Sequence, residues 1–202
     1  MFLGQNREHQ YKPGVEKILL DVIGGGTIDR GDLRSAVFPE GKADELPPLT
    51  PVVKDPATGV YHVVKTARVY EAASAAKYKV EKKHFFAVGD AVTLGGAFDK
   101  ASDVIKDVDK SDPTFDTLTL AGTVGAAAKG DVLVLAKDKQ AAGSAIPKYG
   151  DKESEIYLTM DSVRLDVANQ ASGLLAMGAV NEASMIFPMD RALKARTHIS
   201  FV

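Results

Sequence analysis

No apolar run in this chain is long. The longest, such as Val132-Leu-Val-Leu-Ala136, reach about five residues. That is the length of a strand and far below the ~20 apolar residues that a membrane-spanning helix needs. From Gly59 onward such runs recur between turn signals. Val60–Val64, Ala67–Tyr70, Lys77–Val80, His84–Val88 and Val132–Leu135 are strand candidates. Glu155–Thr159, Val163–Val167, Gly173–Met177, Glu182–Phe187 and His198–Val202 continue the series, the last as an edge strand. Many short strands separated by turn residues point to a mainly β fold. The expected architecture is a small barrel or sandwich of short strands with an extended N-terminal arm and one or two short helices.

Two local patterns sharpen this. Val104–Asp109 and Asp116–Leu120 read as a hairpin across Lys110-Ser-Asp-Pro-Thr114, with Thr117 and Thr119 alternating with Leu118 and Leu120. Val88-Gly-Asp-Ala-Val92 and Lys129-Gly-Asp-Val-Leu133 echo each other 41 residues apart. A Gly-Asp pair ahead of an apolar strand predicts a tight turn, because glycine supplies positive φ and aspartate accepts from nearby backbone donors. Two copies place a small barrel or meander at about residues 60–136.

The first 58 residues read differently. Tyr11-Lys-Pro-Gly14 is a turn signal, and the apolar run Val15–Ile23 stops at Gly24-Gly25-Gly26, a hinge or turn. Residues 38–59 hold Pro39, Pro47, Pro48, Pro51 and Pro56, which predicts an extended connection. The expected division is therefore an arm with its proline-rich connection at 1–58 and a β-rich body at 59–202. Helix is expected only near 30–37, capped by Asp29 or Asp32, near 189–196, and at the alanine-rich stretch 72–76. Within the arm, Val15, Ile18, Leu19, Leu20, Val22 and Ile23 have few apolar neighbours in sequence. They are the candidate partner-docking residues, since an exposed apolar strand invites pairing with another chain. The alternative is that Val15–Ile23 is the first strand of the body itself, folded back past the glycine hinge.

Composition and motifs argue against most chemistry. Hydrophobic residues make up 45% and charged residues 26%, so a packed core is feasible. There is no cysteine, which removes disulfides, thiolate metal sites and a cysteine nucleophile. The net charge of −2 leaves no basic footprint for nucleic acid or anionic lipid. The start, Met1–Gln10, lacks the pattern of a secretory signal. The tri-glycine is followed by Thr27-Ile28-Asp29 and lacks the Lys-Ser/Thr of a phosphate loop. His9, His62, His84 and His198 are dispersed without the i, i+4 spacing of a helical zinc site. No Gly-x-Ser-x-Gly elbow accompanies the serines. The aspartates from Asp99 to Asp112 lack the register of a calcium loop, and the carboxylates as a whole single out no glycosidase pair. The expectation is no catalytic, cofactor-binding or metal-ligating residue, and no enzyme.

The series from Lys77-Tyr-Lys-Val80 through Phe86–Val92, the hairpin Asp103–Leu120 and Lys129–Leu135 resembles head fibre and head decoration proteins of tailed bacteriophages. The end of the chain, from Gly178-Ala-Val-Asn-Glu182 through Met185–Asp190 to Ile199-Ser-Phe-Val202, is similar to the ends of such proteins. The resemblance covers about residues 60–136 and 163–202. It implies a virion structural protein, made in the host cytoplasm and placed on the capsid surface. Its partners would be the major capsid protein and further copies of itself, most simply as a homotrimer. Alternatives are a tail, baseplate or capsid subunit of a phage, or a β-rich bacterial surface or carbohydrate-binding module.

Overall fold

The computed structural model describes residues 14–33, 45–164 and 169–202. In chain order these form β1 (Val15–Asp21), β2 (Gly26–Ile28), β3 (Glu45–Leu46), β4 (Pro51–Lys54), β5 (Tyr61–Val63) and β6 (Thr66–Arg68). There follow β7 (Lys77–Glu81), β8 (Ala91–Leu94), β9 (Ser102–Asp109), β10 (Phe115–Leu120) and β11 (Val132–Ala136). The last are β12 (Ile156–Thr159), β13 (Val163–Arg164), β14 (Gln170–Ser172), β15 (Leu174–Val180) and β16 (His198–Phe201). One helical turn, α1 (Arg191–Lys194), precedes β16. The fold is mainly β, as the sequence indicates.

Six strands make a curled antiparallel sheet in the order β6-β11-β8-β9-β10-β7. Its two ends meet where Val69 bridges Val80 and the Tyr70 N–H donates to the Lys79 carbonyl at 2.8 Å. Alternation decides what goes inside. In β10, Leu118 and Leu120 are buried while Thr117 and Thr119 are half-exposed, and the leucines join Tyr78, Val80, Ile105 and Leu133 in one core. Each such apolar side chain, once buried, is worth about 1.5–3 kcal/mol. The expected β9–β10 hairpin is present, its turn held by Asp112 Oδ1 accepting from the Thr114 N–H at 2.8 Å.

The Gly-Asp echo is a structural repeat. Gly89 and Gly130 both have φ +94. Asp90 Oδ2 accepts from the Ala87 N–H at 3.1 Å, and Asp131 Oδ2 from the Ala128 N–H at 2.8 Å. Gly89 N–H donates to the Ile105 carbonyl and Gly130 N–H to that of Val69, at 2.9 Å each. The strands the turns launch, β8 and β11, pair antiparallel with Leu94 opposite Leu133 and Val92 opposite Leu135. Shifting by the repeat exchanges these two pairs, which is the signature of a local two-fold relation.

Eight strands make the second sheet, in the order β1-β15-β12-β4-β5-β2-β14 with β16 parallel beside β15. One face packs on β8 and β11, bringing Val132 and Val134 together with Ile156, Leu158, Leu175 and Leu193. This is why β8 and β11 are buried along their whole length. A third core, with Ile28, Val52, Tyr61, Val63, Leu174 and Phe187, completes the molecule.

Strands from both sides of residue 58 alternate in this sheet. The stretch expected to be only an extended connection supplies β3 and β4, and β4 lies between β12 and β5. Pro51 is tolerated because it is the strand's first residue, and its carbonyl accepts from the Val64 N–H at 2.9 Å. The tri-glycine is a turn, with Gly24 at φ +82 and Gly25 at φ +70. A Cβ on Gly26 would lie 2.4 Å from Leu174 and 2.6 Å from Tyr61. The helix near 190 is one turn, capped by Asp190 Oδ1 on the Leu193 N–H. Near residue 30 there is a 3-10 turn, Arg30–Leu33, and the rest of that expected helix lies outside the described residues. The alanine-rich stretch is not helical. Ala73 instead exchanges backbone hydrogen bonds with Ala127.

Candidate docking edge and buried polar clusters

β1 is the terminal strand of the eight-stranded sheet. It pairs with β15 from Val15 opposite Val180 to Asp21 opposite Leu175, with three register shifts. Gly178 permits this contact, since a Cβ there would lie 2.2 Å from the Lys17 carbonyl oxygen. On its other side β1 has no paired strand among the described residues. Ile18, Leu19 and Leu20 are 46%, 58% and 52% exposed. The register shift between Ile18 and Leu20 leaves Leu19 as the extra residue of a bulge, and the three side chains together make an exposed apolar edge. Ile23 is 95% exposed at the turn closed by the Gly25 N–H on the Val22 carbonyl. Of the six docking candidates, these four face solvent. Val15 and Val22 are half-buried against the first and third cores.

Three buried polar clusters are illegible in the sequence. In the first, both carboxylate oxygens of Asp32 lie near His62 Nδ1, at 3.1 and 3.0 Å. Asp32 Oδ2 also accepts from the Val63 N–H at 2.9 Å, and Oδ1 from the Tyr149 hydroxyl at 2.6 Å. The Tyr149 ring stacks on His62 at 3.8 Å between centroids, and Asp29 Oδ2 sits 3.7 Å from His62 Nδ1. Burial opposes charging of His62, but the Asp32 hydrogen bond and the Asp32, Asp29 and Asp55 charges outweigh it and raise its pKa. Burial, then the Asp32 hydrogen bond, raises that of Tyr149. Asp29, Asp32 and His62 hold ligand atoms within 4.8 Å of one another. A divalent cation is thus the cofactor class for which this cluster has donors, a grouping the dispersed histidines did not suggest. In the structure the donors and acceptors satisfy each other instead.

The second cluster uses the first Gly-Asp turn. Lys65 Nζ is 2.8 Å from Asp90 Oδ2, both side chains are buried, and Lys148 Nζ lies 3.7 Å from Asp90 Oδ1. Lys148 and Tyr149 therefore reach the two clusters from one loop. Such pairs fix geometry more than they add stability, and removing one partner is costly.

The third cluster is on the barrel. Asp116 holds Lys82 at 2.7 Å and lies 3.1 Å from His84 Nε2. His84 Nδ1 accepts from the Phe86 N–H at 3.2 Å, which requires a neutral ring with its proton on Nε2. Burial is the main cause that lowers the His84 pKa to about 4, against the attraction of Asp116. The unfolded value is about 6.5, so between these values the unfolded chain binds a proton that the folded chain refuses. The His84 contribution to stability is thus complete above pH ~6.5 and is lost as pH falls toward ~4. The raised pKa of His62 acts in the opposite sense. Urea unfolding at pH 7 and pH 4.5 should show that His84→Gln removes part of the acid destabilisation. An unchanged pH slope would contradict the neutral buried ring.

Comparison with known proteins adds no relative: no family model, curated protein or solved structure matches the chain.

Proposed function

We propose that this chain is a non-catalytic virion structural protein, decorating or projecting from the head of a tailed phage. It would bind the major capsid protein and further copies of itself on the capsid surface. The observation that carries this reading is β1, an edge strand with three consecutive exposed apolar residues on a body that is otherwise well packed. An edge of this kind pairs with another chain by strand addition. Ordinary soluble surfaces avoid it. The polar clusters support the same reading, because Asp32, Asp90 and Asp116 are each occupied by donors of the fold itself. No helix among the described residues is long and apolar enough to cross a membrane.

Two observations test the class. The flanking genes should encode a capsid protein and a portal, and mass spectrometry of purified particles should find the chain in many copies per head. Its absence from particles, or neighbours belonging to a metabolic operon, would overturn the reading. Tail or baseplate placement would show as copies confined to tails separated from heads.

A further inference from the structure

We propose that the strand that pairs with β1 is the β1 of a second copy of this chain, antiparallel about a two-fold axis through Leu19. This rests on the reading of β1 as a docking edge and adds the identity of its occupant. In that register Leu19 faces Leu19 of the second copy, Ile18 faces Leu20, and Lys17 faces Asp21. Each of the last two contacts occurs twice.

Directly opposed residues lie on the same face and interact. The arrangement therefore joins apolar to apolar and cation to anion throughout residues 17–21. Neighbouring registers lose this match. Centring the axis on Ile18 sets Lys17 against Leu19 and Glu16 against Leu20. Centring it between Ile18 and Leu19 opposes Glu16 to Asp21, two like charges. Centring it on Leu20 sets Asp21 against Leu19. Among these registers the Leu19 one alone sets Lys17 against Asp21 and Ile18 against Leu20, and it leaves Glu16 opposite Val22 at its ends. Lys17 and Asp21 are exposed and have no ion-pair partner among the described residues, so both are available. The register shifts along β1 twist the edge, which suits a short closed pair better than an open ladder of many copies.

The test is sedimentation equilibrium of the full chain with charge variants at these two exposed positions. The wild type should show a concentration-dependent monomer–dimer equilibrium. Lys17→Asp alone, or Asp21→Lys alone, opposes like charges twice and should weaken dimerisation about tenfold. The combined exchange, Lys17→Asp with Asp21→Lys, restores opposite charges and should recover the wild-type dissociation constant. Circular dichroism, and thermal unfolding at concentrations below the dissociation constant, should be unchanged, because both side chains are exposed. A monomer at all concentrations, a trimer, or a double variant no tighter than the singles would overturn the two-fold pair. Binding of the same proteins to capsid particles separates the two levels. A monomeric chain whose β1 variants still lose particle binding refutes self-pairing and leaves the docking edge standing. Variants that change neither property refute both.

Discussion

Tyr78→Ala should lower the free energy of unfolding by about 4 kcal/mol, the cost of truncating a large, fully buried aromatic side chain. Tyr78 is completely buried at the centre of the barrel core. Its hydroxyl donates to the Gly125 carbonyl at 2.7 Å, accepts from the Val124 N–H at 3.1 Å, and lies 3.0 Å from Thr123 Oγ1. One phenol thus fills the interior and ties the 123–125 loop across it. Tyr78→Phe separates the two roles. It keeps the ring and leaves the buried Val124 N–H unpaired, a cost of about 1–3 kcal/mol. Urea denaturation should rank wild type above Tyr78→Phe and Tyr78→Phe above Tyr78→Ala. Equal stabilities for the wild type and Tyr78→Phe would mean that the hydroxyl does not hold the loop.

Asp32→Ala is the second large effect. The substitution removes the acceptor for the Tyr149 hydroxyl, the Val63 N–H and His62 together. Asp32 is 5% exposed and His62 is 8% exposed, so water replaces the lost carboxylate poorly. Leaving these three donors without their acceptor, at about 1–3 kcal/mol each, costs at least about 3 kcal/mol, which in a chain of this size lowers the melting temperature by roughly 10 °C. Asp32→Asn retains the shape and one carbonyl acceptor, and should cost clearly less. A loss below about 1 kcal/mol for Asp32→Ala would show that the cluster is wet and structurally idle.

How much of this was readable follows from how far apart the partners lie in sequence. The barrel was legible because its signals are local. The Thr/Leu alternation of β10, the Asp-Pro turn before it and the two Gly-Asp turns each specify conformation within a few residues. The Asp190 cap ahead of Arg191–Lys194 is local in the same sense. The second sheet was legible only in part, since β5, β12, β15 and β16 stand among the expected strands while the strands N-terminal to residue 58 that pair with them do not. β4 opens with proline inside a proline-rich stretch, and only its pairing with β12 a hundred residues later makes it a strand. The polar clusters were hidden for the same reason, with Asp32 separated from His62 by 30 positions and from Tyr149 by 117. For the docking strand, the apolar run Val15–Ile23 was visible. Its split into solvent-facing Ile18, Leu19, Leu20 and Ile23 and half-buried Val15 and Val22 depends on β15 covering one edge and leaving the other.

The proposed docking role of β1 can be isolated from folding because its exposed side chains contribute little to any core. Leu19 is more than half exposed, and replacing an exposed residue typically changes stability by no more than about 0.5 kcal/mol. In an interface the same position would be desolvated, and a charge placed there would be strongly unfavourable. The decisive measurement is therefore sedimentation equilibrium of the full-length chain, comparing wild type with Leu19→Asp. The expected result is a concentration-dependent dimer for the wild type and a monomer for Leu19→Asp, with thermal unfolding of the two proteins coinciding at concentrations below the dissociation constant. Equal self-association of both would contradict β1 as the docking edge.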